Sequence, residues 1–222
     1  MVGSEKNGVA ETAMNPVNGS ANKQMIAAWR RIFASTRPGD GYPSTLAFQY
    51  PFAHQDVEAI VILYPLTGYL LTRRQHASLK SARDKIVPSE KVIYVSTYED
   101  QSDFLHSSSV RGDARHYELA TTEDYAAYER TVPWPLEYAM YGSSGAWGLI
   151  VSHEMHAVLG GSRALIDDFK RRYDRWESDV AELKYYWKDN PNGRWVNDLL
   201  ARMPEAAHIA AAPRPDERDE DE

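Results

Sequence analysis

The run His153-Glu154-Met155-His156 gathers more groups capable of acid–base or metal chemistry than any other short stretch of this 222-residue chain. A zinc-protease helix needs His-Glu-x-x-His, which sets two imidazoles one turn apart on one face. Here the second His comes one residue early, and the flanks have the pattern of strands. On a continuous strand His153 and His156 point to opposite faces. If a loop joins two strands here, His153, Glu154 and His156 can converge. A small hydrolase or metal-assisted enzyme centred on that loop is therefore the enzymatic alternative. The preferred reading is a polar hairpin tip that touches a partner.

Other catalytic signatures are incomplete. Gly142-Ser143-Ser144-Gly145 is one residue short of the Gly-x-Ser-x-Gly nucleophile elbow, so it reads as a β-turn. Gly160-Gly161-Ser162 lacks the Lys of a phosphate-binding loop. It reads as a strand end followed by a Ser N-cap, whose free amides offer at most a simple anion site. The chain has no Cys, which removes thiol nucleophiles, disulfides and Cys-ligated zinc. No catalytic residue, metal ligand or cofactor is assigned.

These residues need elements to hold them. Trp147, Leu149 and Val151 alternate with Gly148, Ile150 and Ser152. Met155, Ala157 and Leu159 alternate with His156 and Val158. The pattern predicts two antiparallel strands of a hairpin with both faces partly covered. From Ser162 a single long helix is expected. Its stripe is Leu165, Phe169, Tyr173, Trp176, Val180, Leu183 and Trp187, with Lys170, Arg171, Arg172 and Arg175 in solvent.

Upstream, Met25, Ile26, Trp29, Ile32 and Phe33 predict a helix from Asn22 that ends before Pro38. A short strand is expected over 46–50. The nearly continuous apolar run from Val57 to Tyr64 predicts a strand covered on both faces. A further short strand is expected at Tyr69–Leu71, a helix capped by Thr72 and ended by Pro88, then a strand from Lys91. That succession permits a crossover unit. A polar loop over 99–112, a strand near 115–119, a short helix after Thr121 and a helix over 195–203 complete the reading. The fold class is α+β, or mixed α/β: a central sheet, a C-terminal hairpin and a long packing helix. Residues 1–21 and 205–222 are expected to be disordered tails around one globular domain, 22–204.

The net charge is −7, and the segment 214–222 supplies four of those charges. A weakly acidic body without a basic block argues against a nucleic-acid binder, although a local basic patch remains compatible with it. No apolar run is long enough to span a membrane. With no secretory h-region and no Cys, a cytoplasmic location is expected.

Six Trp and fourteen Tyr exceed what one core needs, and such rings suit interfaces. Trp134 lies between two prolines, and Tyr138 follows close by. With His153, Glu154 and His156 they form the expected partner-binding set. Ser144-Gly145-Ala146-Trp147-Gly148, a strand, then Ala157 to Gly161 and a helix with Phe169 resemble small bacterial proteins of the polymorphic-toxin immunity kind, over residues 144–169. The resemblance implies a protein that binds and blocks a cognate toxin. The expected function is thus a non-enzymatic protein-binding module. A structural scaffold whose acidic tail meets a basic partner is a further alternative. Partner identity and oligomeric state are not encoded in these patterns.

Overall fold

The computed structural model describes residues 15–16, 19–34, 50–53, 57–67, 70–97, 116–122, 124–131, 137–152, 154–191 and 193–214. The strands are β1 (Asn15–Pro16), β2 (Ala59–Leu63), β3 (Val92–Thr97), β4 (His116–Ala120), β5 (Tyr138–Gly142), β6 (Trp147–Val151) and β7 (Ala157–Gly161). The helices are α1 (Gly19–Ile32), α2 (Arg73–Ile86), α3 (Tyr125–Thr131), α4 (Arg163–Arg172), α5 (Trp176–Trp187) and α6 (Arg194–Leu200), followed by a 3-10 turn at Pro204–His208. The fold is α+β.

The strands form one sheet in the order β1-β4-β3-β5-β6-β7-β2. Every neighbouring pair is antiparallel. The expected hairpin is β6–β7, with Leu149 opposite Leu159 and Val151 opposite Ala157. β2 and β3 run parallel to each other, because β7, β6 and β5 lie between them. α2 is thus the crossover from one side of the sheet to the other, and the meander β5-β6-β7 fills the gap it leaves. The Val57–Tyr64 run supplies β2, which ends the sheet beyond β7.

Both faces are covered. The face carrying Tyr141, Gly148 and Gly160 receives the end of α1. Trp29 meets the Tyr141 ring edge-on with centroids 5.3 Å apart, and Phe33 does so at 5.6 Å. Gly148 makes this approach possible: a Cβ there would stand 2.4 Å from Ile32 Cγ2 and 2.8 Å from Phe33 Cζ. Phe33 in turn stacks on Phe52 at 5.7 Å, and the two residues share a β-bridge. α2 covers the opposite face, where Met140, Ile93 and Leu119 lie, and α4 packs on α2.

Thr72 caps α2 in a reciprocal capping box with Gln75, and Ser162 caps α4 by accepting from the Leu165 amide. Gly160 and Gly161 are the last two residues of β7, as expected, and pair with Gly148 and Trp147. A Cβ on Gly160 would come within 2.8 Å of the Phe52 ring.

The long helix is two helices. Tyr173 leaves the helical region at φ −107° and ψ 78°, and α5 restarts at Trp176. The apolar stripe survives the break: Leu165, Phe169, Tyr173, Val180, Leu183 and Trp187 are all buried, and Trp176 packs half-buried against them.

Described structure also reaches into both stretches expected to be tails. Asn15–Pro16 pairs with β4 and α1 starts at Gly19, inside the stretch expected to be a tail. At the other end the chain is packed to Arg214. Ala206 is fully buried, Lys184 Nζ donates to the carbonyls of Ala206 and Ile209, and the Ala212 amide donates to Ala181. The expected strand over 46–50 lies largely outside the described residues, as does the expected loop over 99–112. Of the strand expected at Tyr69–Leu71, Tyr69 lies outside the described residues, and Leu70 forms a β-bridge with Thr67.

Candidate functional site

The hairpin loop that drew attention in the sequence is held by its own hydrogen bonds. The Ser152 amide donates to the His156 carbonyl at 2.9 Å. The Ser152 hydroxyl accepts from the Glu154 amide and donates to the Glu137 carboxylate at 3.3 Å. Met155 turns the chain at φ 61°, and its carbonyl accepts from the Leu66 amide.

His156 is 1% exposed, and its ring stacks on Trp195 of α6 with centroids 4.5 Å apart. That imidazole is a packing element, not a surface group. Tyr138 is also fully buried. Its hydroxyl lies 2.5 Å from that of Tyr128 on α3, and Tyr128 OH accepts from the Leu71 amide. His156 and Tyr138, expected to meet a partner, are both buried within this chain. Both occupy strand or strand-end positions whose side chains point under a helix. Glu154 is half-buried. His153 and Trp134 lie outside the described residues. Among the described residues, no group of three His, Asp or Glu side chains is placed to hold a metal ion.

The two Gly-Ser motifs are structural. Gly142-Ser143-Ser144-Gly145 is the β5–β6 turn, closed by the Gly145 amide on the Gly142 carbonyl. The buried carboxylate of Glu90 clamps it. Oε1 accepts from the Ser144 hydroxyl at 2.7 Å and the Ser144 amide at 3.2 Å, and Oε2 accepts from the Trp147 indole at 2.7 Å. At the start of α4, the Arg163 amide donates to Glu58 Oε2 at 2.8 Å. The amide that could have offered an anion site there is taken by the chain's own carboxylate.

The fold assembles three polar clusters that the sequence did not announce. Ser96 and His116 face each other across β3 and β4. Ser96 Oγ lies 2.9 Å from His116 Nδ1 and 3.0 Å from Tyr141 OH. A hydroxyl beside an imidazole is the geometry of base-assisted attack. Here, however, Ser96 is fully buried, and its hydroxyl is shared between two partners. Burial also lowers the His116 pKa. The group ties three strands together. It was hidden because its members lie 20 and 45 residues from Ser96 and meet only through strand register.

The second cluster surrounds Asp179, fully buried near the start of α5. Its carboxylate accepts from the Tyr64 amide at 3.1 Å, from Gln75 Nε2 at 3.4 Å and from Tyr173 OH at 2.9 and 3.0 Å. Arg214 stands 3.6 Å away and also donates to the Tyr64 carbonyl. It joins β2, α2, α4, α5 and the C-terminal segment. Burial pushes the Asp179 carboxyl up to about 7, outweighing the stabilising hydrogen bonds.

The third cluster centres on Asp168 of α4. Lys85 Nζ bonds Oδ1 at 2.7 Å, Arg172 Nε bonds Oδ2 at 2.6 Å, and Arg171 also bonds Oδ1. Lys85, then Arg172, hold this carboxyl far below the usual carboxylate range.

Among the described residues, two large apolar side chains are exposed. Tyr185 and Tyr186 on α5 are 41% and 67% exposed. Lys188 Nζ lies 4.1 Å from the Tyr185 ring centroid, and Tyr64 lies beside Tyr186 at 6.1 Å. No described helix is long and apolar enough to cross a membrane. No family model, curated protein or solved structure matches the chain.

Proposed function

We propose that this chain is a protein-binding module whose contact surface includes the end of α5. The observation that carries the reading is the pair Tyr185 and Tyr186, large rings left in solvent on a helix whose opposite side is fully packed. Tyr gives wide contact area with only two side-chain torsions to fix, and it is enriched where interfaces concentrate their energy. A neighbouring cation, Lys188, extends the patch, and the buried Tyr64 ring backs Tyr186. Neutralising a toxin by covering it, as the immunity-type resemblance implies, is one form of this activity.

The test compares affinity capture from the native host by the wild-type chain and by Tyr185→Ala/Tyr186→Ala. Both are checked first for equal thermal stability. The expected result is a stoichiometric protein retained by the wild type and lost by the double variant. Equal retention by both would sink the assignment of this surface.

The hydrolase alternative has its best geometric support at Ser96 and His116 and not at the hairpin loop. Labelling with a fluorophosphonate distinguishes it. A nucleophilic serine would react in the wild type and not in Ser96→Ala. The burial of Ser96 favours no labelling in either.

A further inference from the structure

Asp168 is 2% exposed, and its cover includes its own counter-ions. Lys85, Arg171 and Arg172 have side chains 55%, 62% and 39% exposed, so each reaches inward to one carboxylate while presenting its outer side to water. One negative charge among three positive charges leaves an excess of two. A guanidinium carries five N–H donors and an ammonium three, more than one carboxylate can occupy. The three heads are therefore fixed in place and still able to donate outward. That pre-organisation lowers the entropic cost of receiving a second anion.

We infer that the Lys85–Arg171–Arg172 cluster, where α2 packs on α4, is a docking point for carboxylates of an acidic segment on a protein partner. This rests on the protein-binding reading and names the partner's chemistry. A nucleic acid fits less well. Its backbone asks for cations spaced along a track, whereas three further cations on these two helices are matched to carboxylates, Arg74 to Asp174, Lys80 to Asp84 and Lys170 to Glu205. The three cationic heads converge on one carboxylate in a chain of net charge −7. A short pair of carboxylates suits such a spot, and a long polyanion would run on into repulsion.

The experiment is fluorescence anisotropy with a labelled oligoglutamate peptide and, separately, a labelled oligothymidylate. The proteins are the wild type, Lys85→Ala/Arg171→Ala and Lys23→Ala, an exposed cation of α1. The double variant keeps Arg172 on Asp168, so the buried carboxylate is not stranded. A thermal melt confirms that the variant is folded.

The expected result is peptide binding that weakens about tenfold or more in the double variant, as loss of close charge pairs would give. It should fall with added salt and be unchanged in Lys23→Ala. Three results would overturn the inference: no peptide binding, binding indifferent to the double variant, or tighter oligothymidylate binding with the same residue dependence. None of these touches the Tyr185/Tyr186 capture test. If that test succeeds while this one fails, the module keeps its proposed function and loses only the acidic partner segment.

Discussion

Tyr173 OH donates to both carboxylate oxygens of Asp179, six residues further on, at 2.9 and 3.0 Å across the break between α4 and α5. The contact bridges the break and engages a buried acid whose pKa burial raises to about 7. An unfolded aspartate titrates near about 3.9. Between those two values the folded chain holds a proton that the unfolded chain has released. The stability tied to Asp179 is therefore fully present below about pH 4 and is lost as pH rises through about 7. Urea denaturation across this interval should show a decline that Asp179→Asn removes. Parallel pH curves for the two proteins would contradict the linkage. Asp168 has the opposite sign, since its lowered pKa stabilises the fold above the unfolded value and fails only in stronger acid.

Gly148 admits the end of α1. Gly148→Val would drive methyl groups into Ile32 and Phe33 and should cost about 1–3 kcal/mol by overpacking, or displace α1. Denaturant midpoints measure the cost. Near-ultraviolet circular dichroism, sensitive to Trp29 beside Tyr141, reports the displacement. A variant as stable as the wild type with an unchanged spectrum would contradict the close packing.

Phe169 is fully buried and Arg171 is largely exposed. Phe169→Ala should cost about 3–5 kcal/mol through the cavity it leaves. Arg171→Ala should change stability by less than about 1 kcal/mol, because Lys85 and Arg172 remain on Asp168. Similar losses for the two variants in a denaturation series would show that α4 does not pack by this face.

The stack of His156 on Trp195 changes what its removal should do. A hairpin-tip histidine could be lost without cost. A ring buried against an indole contributes both area and a ring–ring contact, so His156→Ala should destabilise by about 1–3 kcal/mol. The tryptophan emission should shift to the red as Trp195 meets water. A neutral effect on both would return His156 to the surface.

The hairpin was legible in the sequence because alternation fixes which side chains share a face. Thr72 and Ser162 were legible because capping is local chemistry. The break at Tyr173 was not. The spacing from Leu165 to Trp187 keeps its phase across Tyr173, so the stripe reads as continuous and is buried as one even though the backbone is not. The near-continuous apolar run of β2 indicated covered faces but not which strand lies beside it. The site was less legible than the fold. His156 and Tyr138 look like interface residues by type, yet whether a ring meets water depends on α6 and α3, elements distant in sequence. The convergence of Lys85 on Asp168 and the meeting of Ser96 with His116 depend on packing and register, which one-dimensional spacing does not carry.

Among the described residues β2 is the last strand at its end of the sheet, and Ala59–Leu63 is entirely apolar, a composition that invites another chain to add itself. Just past it, the Tyr64 amide is taken by Asp179 and the Tyr64 carbonyl by Arg214. Together a carboxylate and a guanidinium occupy the donor and acceptor that an incoming peptide would need, so the same pair that straps down the C-terminal segment also acts as a stopper against β-aggregation. A chain shortened to remove Arg214 would expose that carbonyl and weaken the strap, and its liability should appear as concentration-dependent self-association before any loss of helix.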